Sequence, residues 1–262
     1  MILRRGFHYT KRLSNQNQSN IVFDHALKLR QREWSFRAQE SEYYDYLRKE
    51  ATVRLADRLD DITRSFPLAL EINSHRGHFL DCLLTSVTER DNATLGGIRS
   101  LIQTDTFHNP IQPLDIDESI LKVNKLQCDD ESWPFPEQSF DLIINPFSLH
   151  WTNDLPTALS NIKKSLKPDG VFLAAMLGGS TLEELKDCFY LAEAERKGGF
   201  GTHASPFALP SDIAGLMQAA GFTLPTIDVD TVKVIVSVFI VAMDHSLILL
   251  CVHRSLTPTP LL

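Results

Sequence analysis

The sequence predicts an α/β fold with a mostly parallel sheet and helices on both of its faces. Short apolar runs alternate along the chain with longer segments whose apolar residues recur at helical spacing. That alternation is typical of parallel strands joined by crossover helices. The composition agrees, since 43% apolar and 23% charged residues in 262 are ordinary for a folded globular chain.

Two helices are expected ahead of the first strand. The first covers residues 22–36, and the second covers residues 42–62. In the second, apolar side chains recur at helical spacing, namely Leu47, Ala51, Leu55, Leu59 and Ile62. The turn at residues 65–67 contains Pro67 and ends this helix.

The rest of the chain supplies the sheet and its covering helices. Apolar runs predict strands at 68–72, 98–105, 139–144 and 171–176. Helical spacing predicts helices at 79–88, 153–167, 181–197 and 211–220.

Turn signals separate these elements. Residues 106–121 hold two prolines and are expected to form a loop that leads into a short helix. The sequence Pro168-Asp169-Gly170 predicts a turn before the strand at 171–176. Ser211 is placed to cap the start of the last helix, and Gly221 is placed to end it.

Charge is unevenly distributed along the chain. The 26 basic and 33 acidic residues give a net charge of −7, which argues against a nucleic-acid-binding surface. The first 23 residues contain no acid and four basic residues, so residues 24–262 carry a net charge of −11. An Arg-rich, acid-free, amphipathic start is typical of a mitochondrial transit peptide, predicted here at residues 1–21. The alternative is a basic N-terminus without a targeting role.

The cysteines and histidines give no sign of a metal site. Cys82, Cys128, Cys188 and Cys251 lie far apart and form no C-x-x-C pair, so neither a disulfide framework nor a zinc ribbon is expected. His75 and His78 are three residues apart but have no carboxylate at matching spacing.

Acidic residues follow the predicted strands, where ligands bind in an open parallel sheet. Glu71 opens the turn Glu71-Ile72-Asn73-Ser74-His75-Arg76-Gly77, Asp105 follows the second predicted strand, and Asp129 precedes the strand at 139–144. This order resembles the Rossmann-like S-adenosylmethionine-dependent methyltransferases, whose pattern is strand–acid–x–G–x–G–x–G followed by two further acids. Their carboxylates accept hydrogen bonds from the cofactor's hydroxyl and amino groups.

The downstream half resembles one family more specifically, the mitochondrial complex I assembly factor 5 family, which is methyltransferase-like. The resemblance covers about residues 22–233 and includes Val22-Phe23-Asp24 and Tyr46-Leu47. Its most specific motifs lie in five later segments, namely 148–151 (SLHW), 153–156 (NDLP), 166–170 (LKPDG), 178–182 (GGSTL) and 193–200 (EAERKGGF).

The resemblance implies a matrix protein, peripheral to the inner membrane, that assists the assembly of respiratory complex I. It implies an enzyme that hydroxylates or methylates an arginine on a complex I subunit, with other assembly factors as partners. It also implies S-adenosylmethionine as cofactor, bound by Glu71, Asn73, Gly77, Asp105, Asp129 and Asn145. Asp115 and Asp117 are rivals of Asp105, and His150 is a weak catalytic candidate.

The chain departs from the family pattern at the glycine turn. Asn73 and His75 stand where the family has glycine, and Gly77 alone remains. Asn and His tolerate positive φ better than most residues, so the turn is still expected to form. The imidazole of His75 nevertheless adds bulk where the cofactor is expected. A non-catalytic assembly chaperone with a degenerate cofactor pocket is therefore the alternative function.

A second departure is the C-terminal tail. The predicted organisation is a transit peptide at 1–21, a helical segment at 22–66, a methyltransferase-like domain at 67–233 and a divergent apolar tail at 234–262. Because the tail does not resemble the family, the domain is expected to be incomplete at its C-terminus. The tail is expected to form buried strands at 234–243 and 246–252, with a non-native tail as the alternative. Asp244 and His245 argue against a membrane span there.

Overall fold

The computed structural model describes residues 21–37, 45–89, 93–107, 117–129, 131–199, 201, 203, 205–223 and 225–232. In chain order the elements are α1 (His25–Arg37), α2 (Tyr46–Asp60), β1 (Leu68–Glu71), α3 (His78–Glu89), β2 (Ser100–Asp105), β3 (Lys122–Gln127), β4 (Phe140–Asn145), α4 (Leu155–Ser165), β5 (Leu166–Ala174), α5 (Glu183–Lys197) and α6 (Pro210–Ala219). Residues 1–20 of the predicted transit peptide (1–21) and the whole predicted tail (234–262), with its two expected strands, lie outside these residues. The division into domains stays a prediction.

The five strands form one sheet in the order β3-β2-β1-β4-β5, and each neighbouring pair is parallel. Leu70 of β1, for example, lies between Ile102 of β2 and Ile143 of β4. The chain moves outward from β1 to β3 and then crosses back to β4. The order reverses between β1 and β4, so the carboxyl ends of these strands border the crevice where such sheets bind ligands.

Helices cover both faces of the sheet, as predicted. On one face, α2 and α3 pack through Leu59, Phe79 and Leu83 against Leu142 of β4. On the other face, Ile162 of α4 packs with Leu70 and Ile143. The central strands are therefore buried on both sides, which explains why they are continuous apolar runs rather than alternating ones.

Helix boundaries follow local capping. The carboxylate of Asp154 accepts a hydrogen bond of 3.1 Å from the backbone N–H of Thr157 and starts α4. The prediction that Ser211 caps α6 is wrong, because the helix begins at Pro210 and the carboxylate of Asp212 accepts from the Leu209 N–H at 3.3 Å. Gly221 ends this helix as predicted, with φ of 89°.

Three other details differ from the sequence prediction. Strand β3 was not predicted, because its sequence KVNKLQ is mostly exposed and has no apolar run. The short helix expected before residue 121 is a turn at 118–120. Strand β5 begins at Leu166 rather than 171, and the predicted turn at 168–170 is an irregularity within it, where Asp169 has φ of 60°.

Helix α1 lacks buried residues altogether, whereas α2 buries Thr52, Leu55, Ala56 and Leu59. Helix α2 is thus part of the core, and α1 lies on the surface of the domain. In the described part of the chain, no helix is long and apolar enough to cross a membrane. The described cysteines Cys82, Cys128 and Cys188 are free thiols.

Candidate ligand site at the strand ends

Three of the predicted ligand residues end neighbouring strands and are buried there. Glu71 ends β1, Asp105 ends β2 and Asn145 ends β4, with exposed fractions of 0%, 5% and 0%. The turn after β1 extends the sheet by one step, since the Ile72 N–H donates to the Ile144 carbonyl at 2.9 Å. The parallel sheet therefore brings these side chains to one edge, as their positions in the sequence predict.

The turn after β1 keeps the backbone shape of a glycine-rich turn. Asn73, His75 and Gly77 have φ of 56°, 51° and 82°, so every second residue is left-handed. An L-residue in this region costs about 1–2 kcal/mol, and less for Asn, whose short polar side chain bonds locally. The expectation that Asn73 and His75 would tolerate the turn is confirmed.

Glu71 is a buried, largely neutral acid. Its Oε2 accepts a hydrogen bond of 2.7 Å from the Gln103 side-chain amide, and its Oε1 has no hydrogen-bond partner among the described residues. Burial raises the pKa of Glu71 to about 8, against an ordinary value of 4.5. Glu71 is thus a polar group with an unmet hydrogen-bonding capacity inside the domain.

Both carboxylate oxygens of Asp105 are engaged. Oδ2 accepts from the His75 backbone N–H at 2.9 Å, and Oδ1 lies 3.1 Å from Nη2 of Arg32. The other terminal nitrogen of Arg32 donates to Oδ1 of Asn73 at 2.7 Å. Arg32 belongs to α1, so this surface helix reaches two of the predicted cofactor residues.

Asp129 also pairs with α1. Its carboxylate lies 3.7 Å from Nδ1 of His25, whose Nε2 lies 3.1 Å from Oε1 of Glu131. Hydrogen bonding to Asp129 and to Glu131 raises the pKa of His25 to about 10. His25 is therefore a cation at neutral pH and holds the start of α1 against the segment that follows β3.

Asn145 serves the loop after β4. Its side-chain amide donates to Oγ of Ser148 at 2.7 Å, and its Oδ1 accepts from the Ser148 backbone N–H at 2.9 Å. Asn73 donates to the same Oγ at 3.0 Å. Ser148 thus joins the β1 and β4 turns across the crevice. Its place in the SLHW motif was noted, but this bridging position was not predicted.

A cluster of charged side chains around Asp45 was also missed. Asp45 immediately precedes α2, and its Oδ2 lies 2.9 Å from Nε of Arg76, 3.7 Å from Nδ1 of His75 and 3.6 Å from Nε2 of His78. Arg76 in turn donates to the carbonyl oxygen of Phe36 in α1 at 3.0 Å. His75, Arg76 and His78 are neighbours in the sequence, but Asp45 lies at least 30 positions earlier and is brought to them only by folding.

His150, the weak catalytic candidate, is buried among aromatic rings. Its ring lies 5.1 Å from that of Phe147, 5.0 Å from Trp151 and 6.1 Å from Phe207. Burial, together with the nearby charge of Arg48, lowers the pKa of His150 to about 3. A group of that pKa is a weak proton acceptor at neutral pH, so the arrangement favours a packing role.

An open cleft with a volume of about 90 Å³ lies beyond β2 and β3. The lining residues are Ser74, Gln103, Thr104, Asp105, Phe107, Lys125, Leu126 and Gln127. This volume is smaller than that of a typical small-molecule site. Asp117, the rival of Asp105, is exposed and accepts from the Ser119 N–H in a turn, while Asp115 lies outside the described residues.

No group of three or more His, Cys, Asp or Glu side chains that could hold a metal ion occurs in the described ranges.

Of the predicted ligand residues, the sheet gathers four at one edge, namely Glu71, Asn73, Asp105 and Asn145. Gly77 completes the turn beside them. Asp129 stands one strand further out.

Comparison with known proteins gives a consistent result. Residues 94–174 match the family described as "Methyltransferase domain". The zebrafish protein named "Arginine-hydroxylase NDUFAF5, mitochondrial" is 42% identical over 230 residues, which are 88% of this chain and 68% of that protein. The human protein of the same name is 41% identical over 81% of this chain, and only 58% of its own length is covered.

Solved structures support the fold. The 1,6-didemethyltoxoflavin-N1-methyltransferase of Burkholderia thailandensis, with bound 1,6-didemethyltoxoflavin and S-adenosylhomocysteine, matches over 78% of this chain and 81% of its own. Its TM-score is 0.50 at 17% identity. A putative methyltransferase in complex with the Haloferax volcanii Trm112 activator matches with a TM-score of 0.50 at 16% identity over 77% of this chain and 83% of its own. The fold is thus the Rossmann-like fold of S-adenosylmethionine-dependent methyltransferases.

Proposed function

Because the chain belongs to the NDUFAF5 family, whose curated members are named mitochondrial arginine-hydroxylases, we propose that it modifies an arginine on a complex I subunit during assembly of that complex. The observation that carries this proposal is the 42% identity with the zebrafish relative over 230 residues. The matched segment includes the strand-end acids on which a cofactor site depends. The reaction proposed is either transfer of a methyl group from S-adenosylmethionine to an arginine nitrogen, with release of S-adenosylhomocysteine and a proton, or hydroxylation by dioxygen, in which a two-electron reductant converts the second oxygen atom to water.

The residues at the strand ends fit S-adenosylmethionine in their chemistry. Glu71, Asp105 and Asp129 would accept hydrogen bonds from the cofactor's amino and hydroxyl groups, and Oε1 of Glu71 is buried without a partner among the described residues. The turn from Asn73 to Gly77 and the side chain of Asn145 would border the same ligand. When bound, this cofactor supplies an electrophilic methyl group. Because Arg32 pairs with Asp105, the cofactor would compete with Arg32 for that carboxylate.

Family membership and the start of the sequence support a proposal for location and partners. The relatives are named mitochondrial, and the first 23 residues carry four basic residues and no acid, which supports a cleaved transit peptide. We propose a matrix protein, peripheral to the inner membrane, whose partners are a complex I subunit as substrate and other assembly factors.

A second candidate function is a non-catalytic assembly chaperone. Asn73 and His75 replace glycines of the cofactor turn, and Arg32 pairs with Asp105. These contacts fill part of the crevice with the chain's own atoms. A chaperone would need the fold and its partner surface but not the cofactor.

The test is complementation of cells that lack their own NDUFAF5 relative. Complex I assembly is measured, and the candidate subunit is analysed by peptide mass spectrometry for an added oxygen atom or an added methyl group on arginine. Asp105→Asn is compared with the matched control Asp187→Asn, which changes an exposed acid on α5.

The proposed enzyme predicts that the modification is restored by the natural chain and by Asp187→Asn but not by Asp105→Asn. Assembly restored by all three chains without any modification would establish the chaperone instead. If none of the chains restores assembly, the proposed role in complex I assembly is wrong.

A further inference from the structure

We propose that α1 is an intramolecular strap that occupies the cofactor crevice and competes with S-adenosylmethionine for Asp105 and Asp129. The inference rests on the cofactor site proposed above and concerns how that site is regulated. In this arrangement α1 covers part of the site, and the acids it pairs with become free when α1 is released.

The strap makes its contacts through two cations on one face of α1. His25 and Arg32 are seven residues apart, which is about two helical turns, so their side chains lie on the same side of the helix. His25 meets Asp129 and Glu131, and Arg32 meets Asp105. The start and the middle of α1 thus pair with two of the three acids that the cofactor would use.

The residues that replace glycine in the β1 turn bind this strap. Oδ1 of Asn73 accepts from Arg32 at 2.7 Å, and the ring of His75 packs edge-to-face on that of Phe36, with centroids 5.9 Å apart. Glycine has no side chain for either contact. Asn73 and His75, the side chains that make the turn less suited to the cofactor, therefore provide the contacts that bind α1.

The strap is attached by surface contacts. No residue of α1 is buried, and one further contact at its start is Lys28, whose Nζ lies 3.3 Å from the ring centroid of Trp151. A helix held by ion pairs and ring contacts, without a core of its own, is among the parts of a domain that open most easily. Release of α1 leaves the α2 and α3 core intact.

Competition of this kind has a measurable consequence. When the binding-competent state is only a fraction of the molecules, the apparent Kd rises by the inverse of that fraction. Removing a strap contact increases the fraction and tightens cofactor binding. A residue that contacts the cofactor would have the opposite effect when removed.

The experiment is calorimetric titration of the full chain with S-adenosylhomocysteine, a stable analogue of the cofactor. Arg32→Ala is compared with Arg30→Ala, which removes an exposed arginine two positions away on the same helix. We expect Arg32→Ala to bind about tenfold more tightly and Arg30→Ala to be unchanged. Thermal unfolding of each variant verifies that it is folded.

A second measurement follows α1 directly in the natural chain. Hydrogen exchange of residues 25–37 is expected to become faster when S-adenosylhomocysteine is added, because the ligand displaces the strap. Slower exchange of α1 together with weaker binding by Arg32→Ala would make Arg32 a cofactor ligand. That result would overturn the strap while leaving the proposed function standing. Absence of binding in every variant would instead refute the cofactor site, and the strap with it.

Discussion

The guanidinium of Arg32 lies 3.1 Å from the carboxylate of Asp105, so a helix ahead of the sheet reaches the acid at the end of the second strand. Asp105 is 5% exposed, and it also accepts hydrogen bonds from the His75 backbone N–H at 2.9 Å and from the Thr106 hydroxyl at 3.4 Å. The position of α1 therefore determines whether the negative charge of Asp105 is paired with Arg32.

The first prediction concerns the stability that this ion pair contributes. Arg32→Ala is expected to lower the free energy of unfolding by about 1 kcal/mol, because α1 is released and Asp105 regains water. Urea unfolding measures the change. In an Asp105→Ala background the same substitution should cost clearly less, since only contacts such as the Asn73 hydrogen bond remain, and an undiminished loss there would show that Arg32 does not act through Asp105.

The second prediction concerns Glu71. Its pKa is about 8 in the folded chain and near 4.5 when unfolded, so its contribution to stability is fully present below pH 4.5. That contribution is lost as the pH rises through 8. Glu71→Gln stays neutral and keeps an acceptor for the Gln103 amide, so its melting temperature is expected to exceed that of the natural chain at pH 9. Identical pH profiles for the two chains would contradict a buried neutral acid.

The third prediction concerns His25. Pairing with Asp129 and Glu131 raises the pKa of His25 from 6.5 to about 10. The contribution of His25 to the free energy of unfolding is therefore complete below pH 6.5 and disappears as the pH rises through 10. The imidazole resonances are expected to titrate far above pH 7 by NMR. Asp129→Asn should move this midpoint downward. A midpoint near 6.5 in the natural chain would mean that His25 is not held against the acids.

The fourth prediction tests the turn after β1. Gly77 has φ of 82°, and an added Cβ would meet nothing closer than 3.6 Å, so the cost of Gly77→Ala is backbone strain rather than a clash. We expect a loss of about 1–2 kcal/mol in urea unfolding. Gly178→Ala is the matched control, because its φ is not left-handed and no atom lies within 4 Å of the added Cβ. Equal losses at both positions would argue against a left-handed requirement at Gly77.

The sequence predicted those parts of the molecule that depend on local patterns. Buried parallel strands such as β1 and β4 are continuous apolar runs, and the acids that end strands were placed correctly because the chain direction is the same in each strand. The left-handed turn was foreseen from the residue types Asn and His. Strand β3 was missed because an exposed edge strand has no apolar run to detect.

The charge pairs of the site could not be predicted, for a different reason. Arg32 and Asp45 lie in or beside helices whose polar residues predict only a solvated face. Their partners Asp105 and Arg76 are 73 and 31 positions further along the chain. Nothing in local spacing shows which of several exposed charges meets a strand end, because the meeting depends on how the helices dock.

The seven-residue interval between His25 and Arg32 makes the contact sensitive to helical phase. Inserting a single residue between them would rotate one side chain by about 100° relative to the other around the helix axis. Only one of the two acids could then be reached at a time. Whether α1 spans the crevice therefore depends on the length of this interval more than on the identity of the exposed residues within it.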